Sequence, residues 1–300
     1  MTMAPRVSVI IPHLNTPGLL ARCLASLTSQ TLDHGRAEII VVDNGSTSTP
    51  EAICAAAGAR LCHEPAPGPG LARNRGAAAA MAPVLAFIDA DCVAAPGWLQ
   101  TLVTALEQTP LQPVGGDIRI AVAAPPRMTG IEAYESVFGF RQHMYIRARR
   151  FSVTANLGMT AEVLTRVGPF GDIDIAEDLD WGQRAHALGH ATRFVPDMLV
   201  WHPARDDMAA LRRKWQRHIR HEFQASGARA GPAWWLKALA LALSGPLESG
   251  RLLTSDRLHG AGNRLRGIGT LVGIRLFRAA EMVRIARAPG QAAAPVWNRA

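Results

Sequence analysis

The sequence contains few cysteines and no long apolar run. Its four cysteines (of 300 residues) all lie in the first third, and none forms a C-x-x-C pair. This pattern argues against a disulfide framework or a zinc site and favours a reducing compartment. No stretch reaches the roughly 18 uncharged apolar residues of a spanning helix. The apolar run before Pro12 is also too short for the core of a signal peptide. We therefore expect a cytoplasmic protein, either free or peripheral on the inner face of the cell membrane.

Acidic residues are scarce in the C-terminal third. Residues 205–300 contain 17 Lys or Arg but only 6 Asp or Glu, whereas residues 1–204 contain 15 and 18. The formal net charge of +8 therefore belongs to the C-terminal part. Such an asymmetry indicates a surface for phosphates, lipid headgroups or nucleic acid. With 48% hydrophobic and 19% charged residues, the chain as a whole is globular.

The hydrophobic pattern predicts an α/β fold. Strand-like and helix-like segments alternate over the first 115 residues, which is typical of a parallel sheet. Residues 113–204 are mixed, with a strand over 114–122, a long helix within 127–149 and a strand over 191–200. We expect one Rossmann-like domain over 1–204 with a mixed, mostly parallel sheet, divided into a nucleotide-binding half (1–115) and an acceptor half (116–204). A basic, amphipathic helical segment (205–300) follows.

Two carboxylates, Asp89 and Asp91, follow the apolar strand at 83–88. Ligands of open α/β sheets bind outside the carboxyl ends of the strands. Two carboxylates at such an end suit a hard divalent cation that carries phosphates. The pair alone is also compatible with a solvated turn at the end of a strand.

Further polar groups lie at predicted strand ends and helix starts, and each has an ordinary explanation when taken alone. Asp43 could be a turn aspartate, and His202 a strand-end histidine. The run 68–76 lacks the Gly-Lys-Ser/Thr ending of a phosphate-binding Walker loop and could be a surface loop with solvated arginines. The acids Glu177 and Asp178 could simply complement the dipole of a helix N-terminus.

Taken together, these segments resemble the family 2 glycosyltransferases of the GT-A fold. The match covers about residues 7–203, and its motifs stand in the order and spacing of that family. They are VSVIIPHLN (7–15), IIVVDNGST (39–47), GLARNRG (70–76), AFIDAD (86–91) and Glu177-Asp178 followed by Gln183-Arg184.

The resemblance implies a site for a nucleotide-diphosphate sugar. It assigns one group of residues to the nucleotide: Pro12, His13, Asn15, Asp43, Arg73 and Asp89. It assigns Asp91 and His202 to a metal ion, Mn²⁺ or Mg²⁺. His13 departs from the aromatic or small apolar residue that the family often has at this position.

The resemblance also implies an inverting transfer to a hydroxyl group. Asp178 matches the general base, and Glu177, Trp181 and Asn156 are placed on the acceptor side. The neighbouring Asp180 competes for the role of the base. The expected acceptor is a carbohydrate or a lipid-linked molecule, in the synthesis of a cell-surface polysaccharide or glycolipid.

Two other functions compete with this interpretation. In the first, the α/β body is a degenerate scaffold and the basic C-terminal region binds a membrane or nucleic acid. The amphipathic segment 208–224 suits an anionic membrane surface, or it packs on the catalytic domain; nucleic acid is the less favoured partner. The second is a nucleotidyltransferase, which the Glu177-Asp178 helix and the lack of a glycine-rich N-terminal triphosphate loop argue against.

Overall fold

The computed structural model describes residues 4–30, 32, 37–173, 175–227 and 229–288. These residues form two compact units. The first contains residues up to 119 together with 141–202, and the second contains residues 120–140 together with 203–288. The predicted boundary at 204 thus lies close to one observed boundary. The segment 120–140, which we expected in the acceptor half, belongs instead to the C-terminal helical unit.

An eight-stranded sheet has the order β3-β2-β1-β4-β7-β6-β8-β5. Its strands are β1 (Val7–His13), β2 (Ala37–Asp43), β3 (Arg60–His63), β4 (Val84–Ile88), β5 (Val93–Ala94), β6 (Val114–Ala121), β7 (Asn156–Thr160) and β8 (Arg193–Pro203). The first four are parallel neighbours and confirm the predicted parallel half. β1 and β4 are buried almost throughout, which explains why most of their residues are Val, Ile, Leu or Phe. Their carboxyl ends meet at one edge.

The other half of the sheet is largely antiparallel. β7 pairs with β4 and with β6, and β5 pairs with β8. The sequence did not predict β7, because its five residues, NLGMT, contain a glycine and only two large apolar side chains. Gly158 is required there, since an added Cβ would lie 2.8 Å from the side chain of Leu102.

Helices α1 to α4 and α6 to α8 accompany the sheet. They are α1 (Pro17–Thr28), α2 (Glu51–Ala56), α3 (Pro69–Ala79), α4 (Trp98–Gln108), α6 (Gln142–Met144), α7 (Ala161–Val167) and α8 (Glu177–Ala187). The helical unit contains α5 (Gly130–Phe138), α9 (Met208–Ala225), α10 (Pro232–Thr254) and α11 (Ala261–Arg287). The long helix expected within 127–149 is interrupted: α5 ends at Phe138, and a π-helical turn (Tyr145–Arg149) follows α6.

The apolar stripe of α9 lies inside the helical unit. Leu211, Ile219 and Phe223 are at most 2% exposed and pack in two clusters with side chains of α5, α10 and α11. Trp215, on the same stripe, lies under the guanidinium group of Arg278, 3.6 Å from the ring centroid. The stripe is therefore used for packing within this unit, which corrects the suggestion that α9 offers it to a membrane. In the part of the chain that the structure describes, no helix is long and apolar enough to cross a membrane.

Candidate active site

A cleft of about 410 Å³ opens at the carboxyl ends of β1 and β4. The amino-terminal ends of α3 and α8 complete its wall. Seven of the predicted site residues line it: Pro12, His13, Arg73, Asp89, Asp91, Glu177 and Asp178. Leu14, Thr16, Asn44, Pro69, Ala90, Val153 and Thr154 are the other lining residues. The fold thus brings the acids that follow β4 to the acids that begin α8, although nearly 90 positions separate them.

Arg73 joins these two groups of acids. Its guanidinium Nη2 donates to Asp89 Oδ1 at 2.8 Å, and its Nη1 donates to Glu177 Oε1 at 2.9 Å. The side chain is 4% exposed. Burial alone would lower the pKa of the guanidinium, but the carboxylates of Asp89 and Glu177 more than offset this and raise it. Arg73 is therefore permanently charged and holds Asp89 and Glu177 in fixed positions.

The sequence motif 70–76 forms the first turns of α3. Gly70 lets this helix approach the loop before α8, because an added Cβ would lie 2.0 Å from the carbonyl oxygen of Gly171. One turn later, Asn74 exchanges two hydrogen bonds with the backbone of Phe170, at 2.8 and 2.9 Å. The interpretation of this run as a surface loop is therefore wrong. Only Arg75 is exposed, while Arg73 points into the cleft.

Asp91 is paired with His202 at the edge of the cleft. The His202 Nε2 lies 3.2 Å from Asp91 Oδ2, and both side chains are partly exposed. They meet because Val93, two residues after Asp91, pairs with Trp201 in the antiparallel β5–β8 ladder. Burial raises the pKa of Asp91, but the hydrogen bond and charge of His202 outweigh burial, so the pKa lies below its usual value. By contrast, burial raises the pKa of Asp89, and Arg73 only partly offsets this.

Asp178 lies at the start of α8 and has a strongly shifted pKa. Burial and the neighbouring Glu177 carboxylate raise the pKa of Asp178 to about 6. Its Oδ1 accepts a hydrogen bond from the backbone N–H of Leu179 at 2.7 Å, which fixes the carboxyl group at the helix N-terminus. Asp180, the competing acid, instead accepts a hydrogen bond from Arg184 Nε at 2.9 Å. The shifted, cleft-lining carboxyl group is therefore that of Asp178.

His13 and Asp43 form a buried pair at the ends of β1 and β2. His13 Nδ1 lies 3.2 Å from Asp43 Oδ1, and His13 Nε2 accepts from the Thr16 backbone N–H at 3.3 Å. Because Nε2 accepts, the neutral imidazole carries its proton on Nδ1 and donates it to Asp43. Burial raises the pKa of Asp43, but hydrogen bonds from Ser46 and His13 outweigh it and lower the pKa. His13 lines the cleft, whereas Asp43 does not line it and contacts His13 from the protein interior.

Two asparagines hold the loops around this pair. Asn15 adopts a left-handed backbone conformation (φ 52°), and its Oδ1 accepts from the N–H and hydroxyl of Thr47 at 2.8 and 3.1 Å. The buried Asn44 donates to the carbonyls of Glu64 and Ala66 and accepts from the Gly68 N–H. Asn44 thereby fixes the chain that leads into α3. It was not among the predicted site residues, although it follows Asp43 in the quoted motif.

Two predicted acceptor residues are buried in the core, and the prediction that they contact an acceptor is wrong. Asn156 is fully buried; its amide donates to the carbonyls of Asp117 and Met198 and accepts from the indole of Trp98. Trp181 is 1% exposed, packs against the ring of Phe170 and donates to the Gly168 carbonyl at 3.0 Å. Both side chains already satisfy their polar groups within the protein, so neither presents one to the cleft.

The donor set at the cleft edge suits a divalent metal ion whose remaining ligands come from elsewhere. Asp91 offers a carboxylate of lowered pKa, and His202 offers an imidazole nitrogen at hydrogen-bond distance from it. Oxygen and imidazole ligands together fit Mn²⁺ and, with less preference for the nitrogen, Mg²⁺. Among the described residues, no three His, Cys, Asp or Glu side chains are grouped into a complete metal site. A metal here would therefore need oxygen atoms from a bound phosphate or from water.

Comparisons with known proteins identify glycosyltransferases as relatives of this chain. The family model described as "Glycosyl transferase family 2" matches residues 8–164. Glycosyltransferase AglE from Haloferax volcanii is 33% identical over 208 residues, which cover 67% of this chain and 68% of AglE. Validoxylamine A glucosyltransferase from Streptomyces hygroscopicus is 36% identical over 107 residues, which are 34% of this chain and 24% of that protein.

Two solved structures are similar to this fold. The mannosyltransferase PcManGT from Pyrobaculum calidifontis, in complex with GDP-Man and Mn²⁺, aligns with 96% of this chain and 88% of its own, with a TM-score of 0.61 and 18% identity. The glucosyl-3-phosphoglycerate synthase from Mycobacterium tuberculosis, in complex with Mn²⁺, UDP and glucosyl-3-phosphoglycerate, aligns with 74% of this chain and 80% of its own, with a TM-score of 0.54 and 23% identity. At these identities the similarity shows the fold, and it confirms the predicted GT-A architecture.

Proposed function

Because the chain belongs to glycosyl transferase family 2, we propose that this glycosyltransferase moves a hexose from a nucleotide-diphosphate donor to a hydroxyl acceptor with inversion. One observation carries the proposal. The acids after β4 and the acids that begin α8 line one cleft, and Arg73 bridges them at 2.8 and 2.9 Å. This arrangement supports a donor site and a proton acceptor within one cleft.

The donor is proposed to bind with its diphosphate at the Asp91 end of the cleft. Asp91 and His202 would hold Mn²⁺ or Mg²⁺, as their donor atoms allow, and Asp89 would bind the ribose side of the nucleotide. A bound metal ion would act as a Lewis acid that neutralises charge on the departing diphosphate. PcManGT and the glucosyl-3-phosphoglycerate synthase, both similar in fold, were solved with Mn²⁺.

The nucleotide base is proposed to lie against the His13 side of the cleft. Pro12 and His13 line that wall, while the buried Asp43 accepts a hydrogen bond from His13 Nδ1 and fixes the ring. Asn15 acts through the loops that it joins, because its side-chain oxygen already accepts two hydrogen bonds from Thr47. This arrangement supports binding of a base by a preorganised wall, and it leaves the identity of the base to be measured.

Asp178 is proposed to accept the proton of the acceptor hydroxyl. With a pKa of about 6, its carboxyl group is mostly ionised at pH 7 and still basic enough to take a proton in the transition state. The hydroxyl oxygen attacks the anomeric carbon on the face opposite the diphosphate, the bond to the diphosphate breaks, and the proton passes to Asp178. A single displacement gives inversion and needs no covalent sugar–enzyme intermediate. Glu177, held by Arg73, remains on the acceptor side.

The proposed acceptor is a carbohydrate or a lipid-linked molecule, used for a cell-surface polysaccharide or a glycolipid. A lipid-linked acceptor agrees with a cytoplasmic enzyme that is peripheral on the membrane, with the basic residues of 205–300 toward anionic lipid. This excess of basic residues supports the membrane more than nucleic acid, because exposed leucines accompany the cations in the helical unit.

A panel of nucleotide-diphosphate sugars tests the proposal directly. Hydrolysis and transfer would be measured with Mn²⁺, with Mg²⁺ and with a chelator, and the anomeric configuration of the product would be compared with that of the donor by NMR. We expect turnover of at least one donor, dependence on the metal and inverted configuration. Retained configuration would exclude the single displacement. If the protein neither bound nor turned over any donor, the result would favour the degenerate scaffold instead.

A further inference from the structure

Helix α10 is apolar on two opposite faces. Its inner face packs in the helical unit, where the indole N–H of Trp234 donates to the Met282 carbonyl at 3.0 Å. The buried residues of α10 recur at helical spacing: Trp234, Ala238, Leu241, Gly245 and Leu252. This face accounts for the attachment of α10 to α11, so the remaining apolar residues of the helix need another explanation.

The outer face of α10 carries a stripe of exposed leucines. Leu236, Leu239, Leu243 and Leu247 are 67%, 58%, 63% and 83% exposed. Spacings of three and four residues align them along about 17 Å of helix, directly opposite the buried face. At 3.6 residues per turn, Trp235 and Leu253 extend one edge of this stripe. We call these six residues the outer α10 face.

This face differs from the scattered apolar residues of an ordinary surface. The structure exposes twelve large hydrophobic side chains among the described residues, and six of them form the outer α10 face. The outer side of a surface helix normally carries polar residues. A continuous apolar patch instead marks a surface that binds another protein or a membrane.

The charges around the face favour an anionic lipid surface. No exposed residue of α10 is acidic; Glu248 is partly buried and pairs with Arg275. Lys237 and Arg251 are exposed and, by the helical period, lie along the edge opposite Trp235 and Leu253. The ammonium group of Lys237 also pairs with the exposed carboxylate of Glu222. Over the described residues from 203 to 288, eight Lys or Arg side chains are exposed but only four Asp or Glu side chains, so the exposed charge is mainly positive.

We propose that the outer α10 face lies in the plane of an anionic bilayer, between headgroups and acyl chains, with Lys237 and Arg251 toward the headgroups. Leucine and tryptophan on one side and cations at the edge are typical of helices in this position. A protein partner is less favoured, because leucine is under-represented among the residues that dominate protein–protein binding. The inference deepens the membrane part of the proposed function; it rests on that function only for the lipid-linked acceptor, not for the contact itself.

Vesicle flotation of the full-length protein tests the contact. The probes are vesicles of phosphatidylcholine with and without phosphatidylglycerol. We expect binding to the anionic vesicles, and at least about tenfold weaker partitioning of the double variant Leu239→Gln/Leu243→Gln, since each leucine that enters the bilayer removes apolar surface from water. Both leucines are more than half exposed, so these neutral substitutions remove apolar surface without adding charge or opening the core.

The matched control is Leu188→Gln, which changes a leucine of similar exposure (57%) just after α8 and should bind vesicles like the wild type. Lys237→Gln/Arg251→Gln should weaken binding only when phosphatidylglycerol is present. Unchanged flotation of the double-leucine variant would overturn the proposal. The proposal would also be overturned if the wild type were a dimer and the double-leucine variant a monomer that still bound vesicles, because the face would then bind a second copy of the chain. Donor hydrolysis without vesicles should be equal in all variants; its absence from the wild type would count against the proposed transfer, not against the contact.

Discussion

The carboxyl group of Asp178 should cost the folded protein stability at neutral pH. Its pKa is raised from the ordinary 3.8 to about 6 in the folded state, mainly by burial. A difference of about 2 pK units corresponds to about 3 kcal/mol of free energy of unfolding. The carboxyl group lines the cleft, where solvent screening reduces this cost, and we expect about 1–3 kcal/mol.

The sign of the effect depends on pH. Below pH 3.8 the carboxyl is protonated in both the folded and the unfolded chain and costs nothing. Between pH 3.8 and 6 the unfolded chain loses its proton first, so the destabilisation grows, and above pH 6 it is complete. Asp178→Asn keeps the hydrogen bond from Leu179 and removes the charge. The variant should therefore raise the free energy of unfolding at pH 7.5 and leave it nearly unchanged near pH 4.

Urea unfolding at pH 7.5 and pH 4, without added metal, measures this difference. Asp180→Asn is the matched control, because that carboxylate pairs with Arg184 and both side chains are more than a third exposed. We expect less than about 1 kcal/mol from the control at either pH. In transfer assays, Asp178→Asn should be inactive yet still bind donor, and Asp180→Asn should remain active. A destabilised Asp178→Asn at pH 7.5 would refute the electrostatic argument, and the reverse pattern of activities would assign the base to Asp180.

Three further outcomes follow from the contacts of the cleft. In urea unfolding, Arg73→Ala should lower the free energy of unfolding by about 3–5 kcal/mol because it leaves two carboxylates without their cation. Arg73→Lys should restore only part of this stability, since one ammonium group cannot reproduce the two hydrogen bonds to Asp89 and Glu177. The acidic limb of kcat/KM should have its midpoint near pH 6, and Glu177→Gln should move it to lower pH by removing a charge that raises the pKa of Asp178; an unmoved midpoint would contradict this. A chelator should abolish transfer and Mn²⁺ should restore it in the wild type, whereas Asp91→Asn should stay about 10²-fold or more below wild type at every metal concentration; full rescue of the variant by Mn²⁺ would remove Asp91 from the metal site.

The sequence was sufficient to place the residues at strand ends. His13, Asp43 and Asp89 each lie at or just after the end of an apolar run, and parallel strands deliver such residues to the same edge of a sheet. Strand pairing alone therefore brought them together, without any detail of side-chain packing. The same reasoning could not identify β7, because a short strand with a glycine carries too little periodic signal.

The role of Arg73 could not be derived from its own neighbourhood in the sequence. Its two partners are 16 and 104 positions away, and the contact exists because Gly70 and Asn74 hold α3 against the loop before α8. Asn156 shows the opposite error. The family resemblance placed this residue on the acceptor side, but its amide satisfies two backbone carbonyls and an indole inside the core. Whether a polar side chain serves a ligand or the fold depends on partners that tertiary structure supplies.

The C-terminal helices show why amphipathicity did not predict the exposed surface. α9 has the clearer amphipathic pattern, yet its single apolar stripe is consumed by packing, because a helix with one apolar face buries that face within its own unit. α10 has a weaker periodic signal because it is apolar on both sides, and one buried face leaves the other unmatched. Among the four helices described in this unit, a helix with two opposite apolar faces cannot be covered completely by its neighbours. The surface available to a partner is therefore found on the less amphipathic helix, where apolar residues exceed what packing can bury.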